Sequence, residues 1–321
     1  MLSDLHACLR GVDASKDALE LVSDTRSRID DLFLIVICGE FNAGKSTLIN
    51  ALVGTELLQS GVLPTTFKIC VLRSLGDAAG SKDAAGGVWR RADNMLLDDV
   101  DEIEVPLKWM KHIAIVDTPG TNAIIAKHEQ LTQKIIPRAD LVLFVTSAER
   151  PMTESESSVL ERISQWGKKV VMIVNKMDIL PDAKEQQQVL DYVAQHSAKL
   201  LGTTKVVPVF GVSGRLAFTA KLVNPDSDPS TGTGAGSWEQ SKFAALEQYL
   251  SNVLGQKELI RSKLENPLGV ADRVIADTVA SLDQRLVGLD ADLRVLGTVG
   301  QIHTTSTSFS LSTSLVSLPQ K

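Results

Sequence analysis

The chain has 321 residues, long enough for one large domain with an appendage or for two modest domains. A hydrophobic share of 44% and a charged share of 22% are ordinary for a globular protein, and the net charge of -6 argues against a nucleic-acid-binding face as the main function. Three widely spaced cysteines, Cys8, Cys38 and Cys70, point to a reducing compartment rather than a disulfide framework. No apolar run approaches the roughly 20 residues a spanning helix needs, and no signal-type leader precedes Leu2, so the chain as given reads as soluble.

In chain order, Leu2, Leu5, Leu9, Val12, Leu19, Val22 and Ile29 form one apolar stripe at helical spacing, which predicts a single long helix over residues 1–30. From Asp31 the pattern changes to short β-branched runs, "FLIVIC", "FKICVLR", "HIAIVD", "LVLFVT", "KVVMIVN" and "KVVPVFGV", separated by helical stretches. Strands alternating with helices predict an α/β fold with a mostly parallel sheet over residues 31–255. Residues 76–102 read as a surface excursion, 224–237 as a second loop, and "WEQSKFAALEQYLSNVL" as the helix that closes the sheet domain.

Leu264, Leu268, Ala271, Ile275, Leu282, Leu286, Leu289, Leu293 and Leu296 then recur at heptad-like spacing. Such a stripe predicts a long helix over 256–300 that packs along another helix and forms a neck with the N-terminal one. Pro267 removes a donor and clashes with the preceding turn, so a kink or break is expected there, and Gly269 adds freedom. The Ser/Thr-rich tail, 301–321, has no clear periodicity and no assigned role.

"GEFNAGKST", Gly39 to Thr47, satisfies G-x-x-x-x-G-K-[ST] between a predicted strand and a predicted helix, which makes it a phosphate-binding loop. The backbone N–H groups of Gly39, Glu40, Asn42, Ala43, Gly44, Lys45, Ser46 and Thr47 lie where they can surround nucleotide phosphates. Lys45 should reach the β- and γ-phosphates, and the Ser46 hydroxyl should ligate Mg2+. "IVDTPG" places Asp117 to hold Mg2+ through a water and the Gly120 N–H to meet the γ-phosphate. In "IVNKMD", Asn175, Lys176 and Asp178 form a base-contacting loop. The Asp178 carboxylate can accept from N1–H and N2–H of guanine, two donors that adenine lacks, so the chain is expected to bind GTP and GDP. "VPVFGVSGR" fits the last base-contacting loop, with the Ser213-Gly214 backbone near the guanine oxygen.

"LPTTFK" lies in the interval of the first switch, where Thr65 and Thr66 compete to complete the Mg2+ shell; Thr66 is favoured because the chain then enters the next strand. After "DTPG", Thr121 and Asn122 occupy the region where Ras-like GTPases carry the glutamine that orients water, so intrinsic hydrolysis should be slow. His112 and His128 are nearby imidazoles, each better explained as solvated or packed. Asn42, in the place where potassium-activated GTPases carry an asparagine, makes K+ a candidate additional cation.

Together "GEFNAGKSTLINALVG", "GVLPTT", "DTPGTNAI", "IPRADLVLFVTSAERPMTESE" and "VNKMD" resemble the dynamin-like GTPases of the membrane-fusion branch, which includes mitofusins and bacterial dynamin-like proteins. The likeness is greatest to plastid fuzzy-onions-like proteins, through "SWEQSKFAALEQYLSNVL" and "RSKLENPLGVADRVIAD", and covers about Asp30 to Asp290. The resemblance implies a GTPase domain on a helical neck, homodimerisation through GTPase domains, and remodelling or fusion of thylakoid or envelope membranes in the chloroplast. The membrane-binding part is expected to lie in a region this chain does not include, and no nucleic-acid partner is expected. Two other readings stand beside it: a soluble Era-like GTPase acting as an RNA or ribosome-assembly switch, and a scaffold with a degenerate nucleotide site.

Overall fold

In a computed structural model, the described residues are 2–27, 31–58, 69–74, 88–91, 100–105, 107–118, 135–202, 206–223, 229–230 and 234–315. Among the described residues eight strands form one sheet: β1 (Phe33–Gly39), β2 (Ile69–Ser74), β3 (Val88–Arg91), β4 (Val100–Val105), β5 (Ile113–Asp117), β6 (Leu141–Ser147), β7 (Val170–Asn175) and β8 (Val209–Gly211). Their spatial order is β3-β4-β2-β5-β1-β6-β7-β8. All neighbouring pairs are parallel except β2 with β5 and β3 with β4. The expected mostly parallel α/β sheet is therefore present.

Alternation along β1 explains why helices cover both faces. Phe33, Ile35 and Ile37 point into a core shared with Leu48, Ile49, Ala217, Phe243 and Leu246. Those partners come from α3 (Lys45–Val53), α6 (Gly214–Val223) and α8 (Phe243–Val253). Val36 and Cys38 point the other way, among Val116, Phe144, Leu160, Ile163 and Val193. That second face is covered by α4 (Glu154–Ser164) and α5 (Ala183–Leu200).

Several expectations are corrected. The single N-terminal helix is a hairpin, α1 (Leu2–Gly11) and α2 (Lys16–Ser27). Its turn contains Asp13 at φ 51, a left-handed conformation that cannot continue a helix, and Ser15 accepts from the Ala18 N–H to start α2. Part of the presumed excursion over 76–102 is strand: β3 pairs with β4, and Ile103 and Val105 are buried on alternate positions of an otherwise acidic run. The closing helix is two, α7 (Ala235–Ser241) and α8, separated by Lys242 at φ 53.

The last element, α9 (Gln256–Leu315), is one 60-residue helix that runs through Pro267 and into the Ser/Thr-rich tail. No break occurs at Pro267, and residues 301–315 are helical. Val270, Ala271 and Val274 pack with Leu2, Leu9 and Val22, each buried Val or Leu side chain contributing about 1.5–3 kcal/mol. Beyond that patch Leu282 is half-buried, and Leu286, Leu289, Leu293 and Leu296 are exposed.

The junction sits at the N-terminal ends of the strands. Lys263 donates to the Asp31 carbonyl just before β1, and Gly269 of α9 lies against Gly167 just before β7. No helix among the described residues is long and apolar enough to cross a membrane.

Candidate nucleotide-binding site

The phosphate loop joins the C-terminal end of β1 to α3, where ligands bind in open α/β sheets. Its two signature glycines are required by close approach as well as by backbone angle. Gly39, at φ 150, would place a Cβ 1.9 Å from the Val145 carbonyl oxygen. Gly44, at φ 88, would place one 2.2 Å from Asn175 Nδ2. Asn42 is left-handed at φ 64 and exposed, a conformation asparagine tolerates better than most residues. Ala43 is buried, while Ser46 and Thr47 are half-buried in the first turn of α3.

Lys45 is buried, and its ammonium donates to the carbonyls of Gly39 at 3.1 Å and Glu40 at 3.0 Å. Burial pulls its pKa down against the opposing charge of Asp117. Asp117, at the end of β5, is fully buried, and burial pushes its carboxyl up to about 6 although Lys45 and Ser46 act to lower it. The Ser46 hydroxyl donates to Asp117 Oδ2 at 3.2 Å. Asp117 Oδ1 is buried and has no hydrogen-bond partner among the described residues. A hydroxyl beside one carboxylate with an orphaned oxygen fits a hard divalent cation that retains several waters, as Mg2+ does. Thr65, Thr66, Gly120, Thr121, Asn122 and His128 lie outside the described residues. His112 is exposed at the N-terminal start of β5, at the far end of that strand from Asp117.

Asn175 joins the phosphate loop to the base loops. Its amide donates to the carbonyls of Ala43 at 2.9 Å and Gly44 at 3.3 Å, and its oxygen accepts from the Gly214 N–H at 2.9 Å. Lys176, left-handed at φ 62, pairs with Glu149 at 2.9 Å. Asp178 pairs with Arg215 at 2.8 Å. Burial raises the Asp178 pKa, but hydrogen bonds from Ser213 and Arg215 outweigh it and leave the carboxyl below its ordinary value. The Ser213 N–H donates to the Ser241 carbonyl at 2.9 Å. The backbone donors expected near the guanine oxygen are therefore both engaged within the protein.

Four partners of the loops were not singled out from sequence: Arg215, which pairs with Asp178, and three others. Glu149, Thr153 and Ser155 belong to the segment that leaves β6 and starts α4. The hydroxyls of Thr153 and Ser155 both donate to Glu40, at 3.2 Å each. A signal for Thr153 exists, since T-x-x-E forms a capping box: the Thr153 hydroxyl accepts from the Glu156 N–H, and Glu156 accepts from the Thr153 N–H. Glu149 and Arg215 carry no local signal, because each acts on a residue distant in sequence.

The family described as 50S ribosome-binding GTPase matches residues 34–176. The chain is 38% identical over 286 residues to the probable transmembrane GTPase FZO-like, chloroplastic, of Arabidopsis thaliana, a match covering 86% of this chain and 30% of that protein. It is 28% identical over 292 residues to the bacterial dynamin-like protein of Nostoc punctiforme, covering 72% and 42%. The chain thus spans less than half the length of both relatives. Its fold matches a solved structure of an oligomerised bacterial dynamin pair with a TM-score of 0.54 at 17% identity, over 99% of this chain and 52% of that one. With its phosphate loop, buried Asp117 and base loop assembled at one end of the sheet, the chain carries a P-loop GTPase domain of the dynamin-like kind.

Proposed function

We propose that this chain is the GTP-hydrolysing and lever-bearing part of a mechanoenzyme that pairs through its GTPase domains and remodels or fuses plastid membranes, thylakoid or envelope. The observation that carries the reading is the placement of α9. The nucleotide loops sit at the C-terminal ends of the central strands, while α9 meets the domain at their N-terminal ends, through Asp31 and Gly167. A change of sheet twist or loop order around the phosphates would then swing a long helix. Pro267 and Gly269, at this junction, are the hinge in this reading. Membrane contact falls to chain outside these residues, and the chloroplastic relative supports the plastid assignment.

In the chemical step, Lys45 and the loop N–H groups hold the phosphates, and Asp178 selects guanine. Ser46, Asp117 through a water, and Thr66 would hold Mg2+, which would supply positive charge against the β- and γ-phosphates. The Gly120 N–H meets the γ-phosphate. Asn42 would help to hold a K+ beside the phosphates, which would supply charge that Ras-like proteins receive from an arginine finger.

Sedimentation with GDP and aluminium fluoride, with and without liposomes or RNA, tests the assignment. Nucleotide-dependent dimers support it; a monomer that co-sediments with RNA would instead establish the RNA or ribosome-assembly switch. That alternative has less support, since the chain is acidic overall.

A further inference from the structure

Glu156, in the first turn of α4, is a carboxylate with only 1% of its surface exposed. Among the described residues it is held by hydrogen bonds rather than by an ion pair. Thr146 Oγ1 donates to its Oε2 at 2.8 Å, and the Thr153 N–H donates to the same oxygen at 3.1 Å. The third donor is the backbone N–H of Glu40, the second residue of the phosphate loop. Burial raises the Glu156 pKa, and these three hydrogen bonds act to lower it. Helix capping accounts for the Thr153 contact alone, and the other two reach out of the helix. Thr146 Oγ1 also accepts from the Met152 N–H at 3.2 Å. It thereby fixes a buried methionine at φ 58, a left-handed conformation that a long side chain rarely adopts and that persists only where its surroundings enforce it. The turn fixed in this way delivers the Thr153 and Ser155 hydroxyls to the Glu40 carboxylate. Glu40 is thus held by its backbone and by its side chain, both from α4. Burial pulls the Lys45 pKa down, and the charge of Glu156, with those of Asp117 and Glu40, opposes it.

Resting on the reading of residues 39–46 as the phosphate loop, we propose that Glu156 is a positioning residue for GTP hydrolysis, which accepts the Glu40 N–H from behind that loop and sets its shape. It touches no substrate and acts through Glu40. A loop anchored at its second residue keeps the N–H groups that follow aimed inward before nucleotide arrives, so less ordering remains to be done on binding.

Glu156→Gln isolates this role, because glutamine serves a capping box as well as glutamate does. Its amide oxygen can accept from both Thr146 and Thr153, whereas its NH2 is a donor set against the Glu40 N–H. Steady-state GTP turnover with Mg2+, thermal melting and amide hydrogen exchange are measured on the full 321-residue chain, wild type and variant. Glu156→Gln is expected to keep the wild-type melting temperature and the exchange rates at the start of α4. The Glu40 amide should exchange about threefold faster or more, and kcat/KM should fall about three- to tenfold, the worth of one hydrogen bond. Wild-type kcat/KM, or unchanged exchange at Glu40, would overturn the proposal and leave Glu156 a helix cap only. Should that variant not fold, Glu156→Asp, whose carboxylate falls one methylene short of Glu40, carries the same expectations and the same overturning results. GDP binding to Lys45→Ala separates the two layers. If it is as tight as in wild type, the phosphate-loop reading is wrong; if it is lost while Glu156→Gln matches wild type, the Glu156 assignment alone falls.

Discussion

Thr153 Oγ1 donates to Glu40 Oε2 at 3.2 Å, tying the N-terminus of α4 to the second residue of the phosphate loop. The same hydroxyl caps α4 by accepting from the Glu156 N–H. Ser155 donates to the other Glu40 oxygen, so the carboxylate is held on both sides. Glu40→Ala should lower stability by about 1 kcal/mol and raise KM for GTP a few-fold, because the loop loses an anchor without losing a phosphate ligand. Thr153→Ser keeps the hydroxyl and should behave as wild type. Thermal melts and steady-state kinetics on the two variants measure both effects.

Glu149 holds the Lys176 ammonium, and that hydrogen bond, with the lysine charge, keeps the Glu149 carboxyl below its ordinary pKa. Fixing the ammonium fixes the aliphatic stem on which the base is expected to lie. Glu149→Ala should weaken GDP binding about two- to threefold, a small loss because exposed ion pairs are weak. The difference should fade with added salt, since the pair is half-exposed. A titration of GDP at two ionic strengths reads both outcomes.

Asp117 sets a pH dependence whose sign is fixed by burial. Its carboxyl is raised to about 6 in the folded chain from an ordinary 3.8, so between those values the folded state keeps a proton that the unfolded chain releases. The resulting stabilisation is full below about 3.8 and lost as pH rises through about 6. Mg2+ requires the ionised form, so the Mg2+ affinity of the nucleotide-free chain should rise through the same range. Asp117→Asn should abolish that rise. Lys45→Ala should abolish turnover at every pH while circular dichroism shows the fold retained.

Asn42 carries the potassium proposal. GTP turnover is measured at fixed ionic strength in KCl, NaCl and CsCl, for wild type and Asn42→Ala, over a range of protein concentrations. A preference for potassium that the variant loses supports a bound cation. Identical rates in all salts, with turnover per molecule still rising with concentration, would leave pairing of GTPase domains and remove K+.

The hinge at Pro267 and Gly269 predicts that fluorescence transfer between a label on the GTPase domain and one near Leu289 changes with nucleotide. Transfer indifferent to GTP, GDP and GDP with aluminium fluoride would make the junction rigid.

Much of the fold was legible locally, for a physical reason. The phosphate loop depends on backbone angles and close approaches that only glycine satisfies at Gly39 and Gly44, so its residues are forced into a short recognisable string. The central strands are buried on both faces, and continuous β-branched runs report that directly. β4 was obscured because Ile103 and Val105 are buried at alternate positions of an otherwise acidic stretch. The N-terminal stripe looked like one helix because a hairpin and a single helix can share an apolar spacing, and the left-handed residue of the turn is Asp13; Gly11, which ends α1, was the local signal.

The sequence by itself determined which residues can touch phosphates, metal and guanine, because each motif is contiguous and its chemistry needs particular side chains at particular steps. Only the tertiary structure decided how those motifs hold one another. Asn175 joins the phosphate loop to Gly214, Thr153 joins α4 to Glu40, and Arg215 stands beside Asp178. Each of these links joins residues far apart in the chain, and a hydrogen bond of that kind leaves no period or spacing in the sequence; it exists only once the sheet has brought the ends of its strands together.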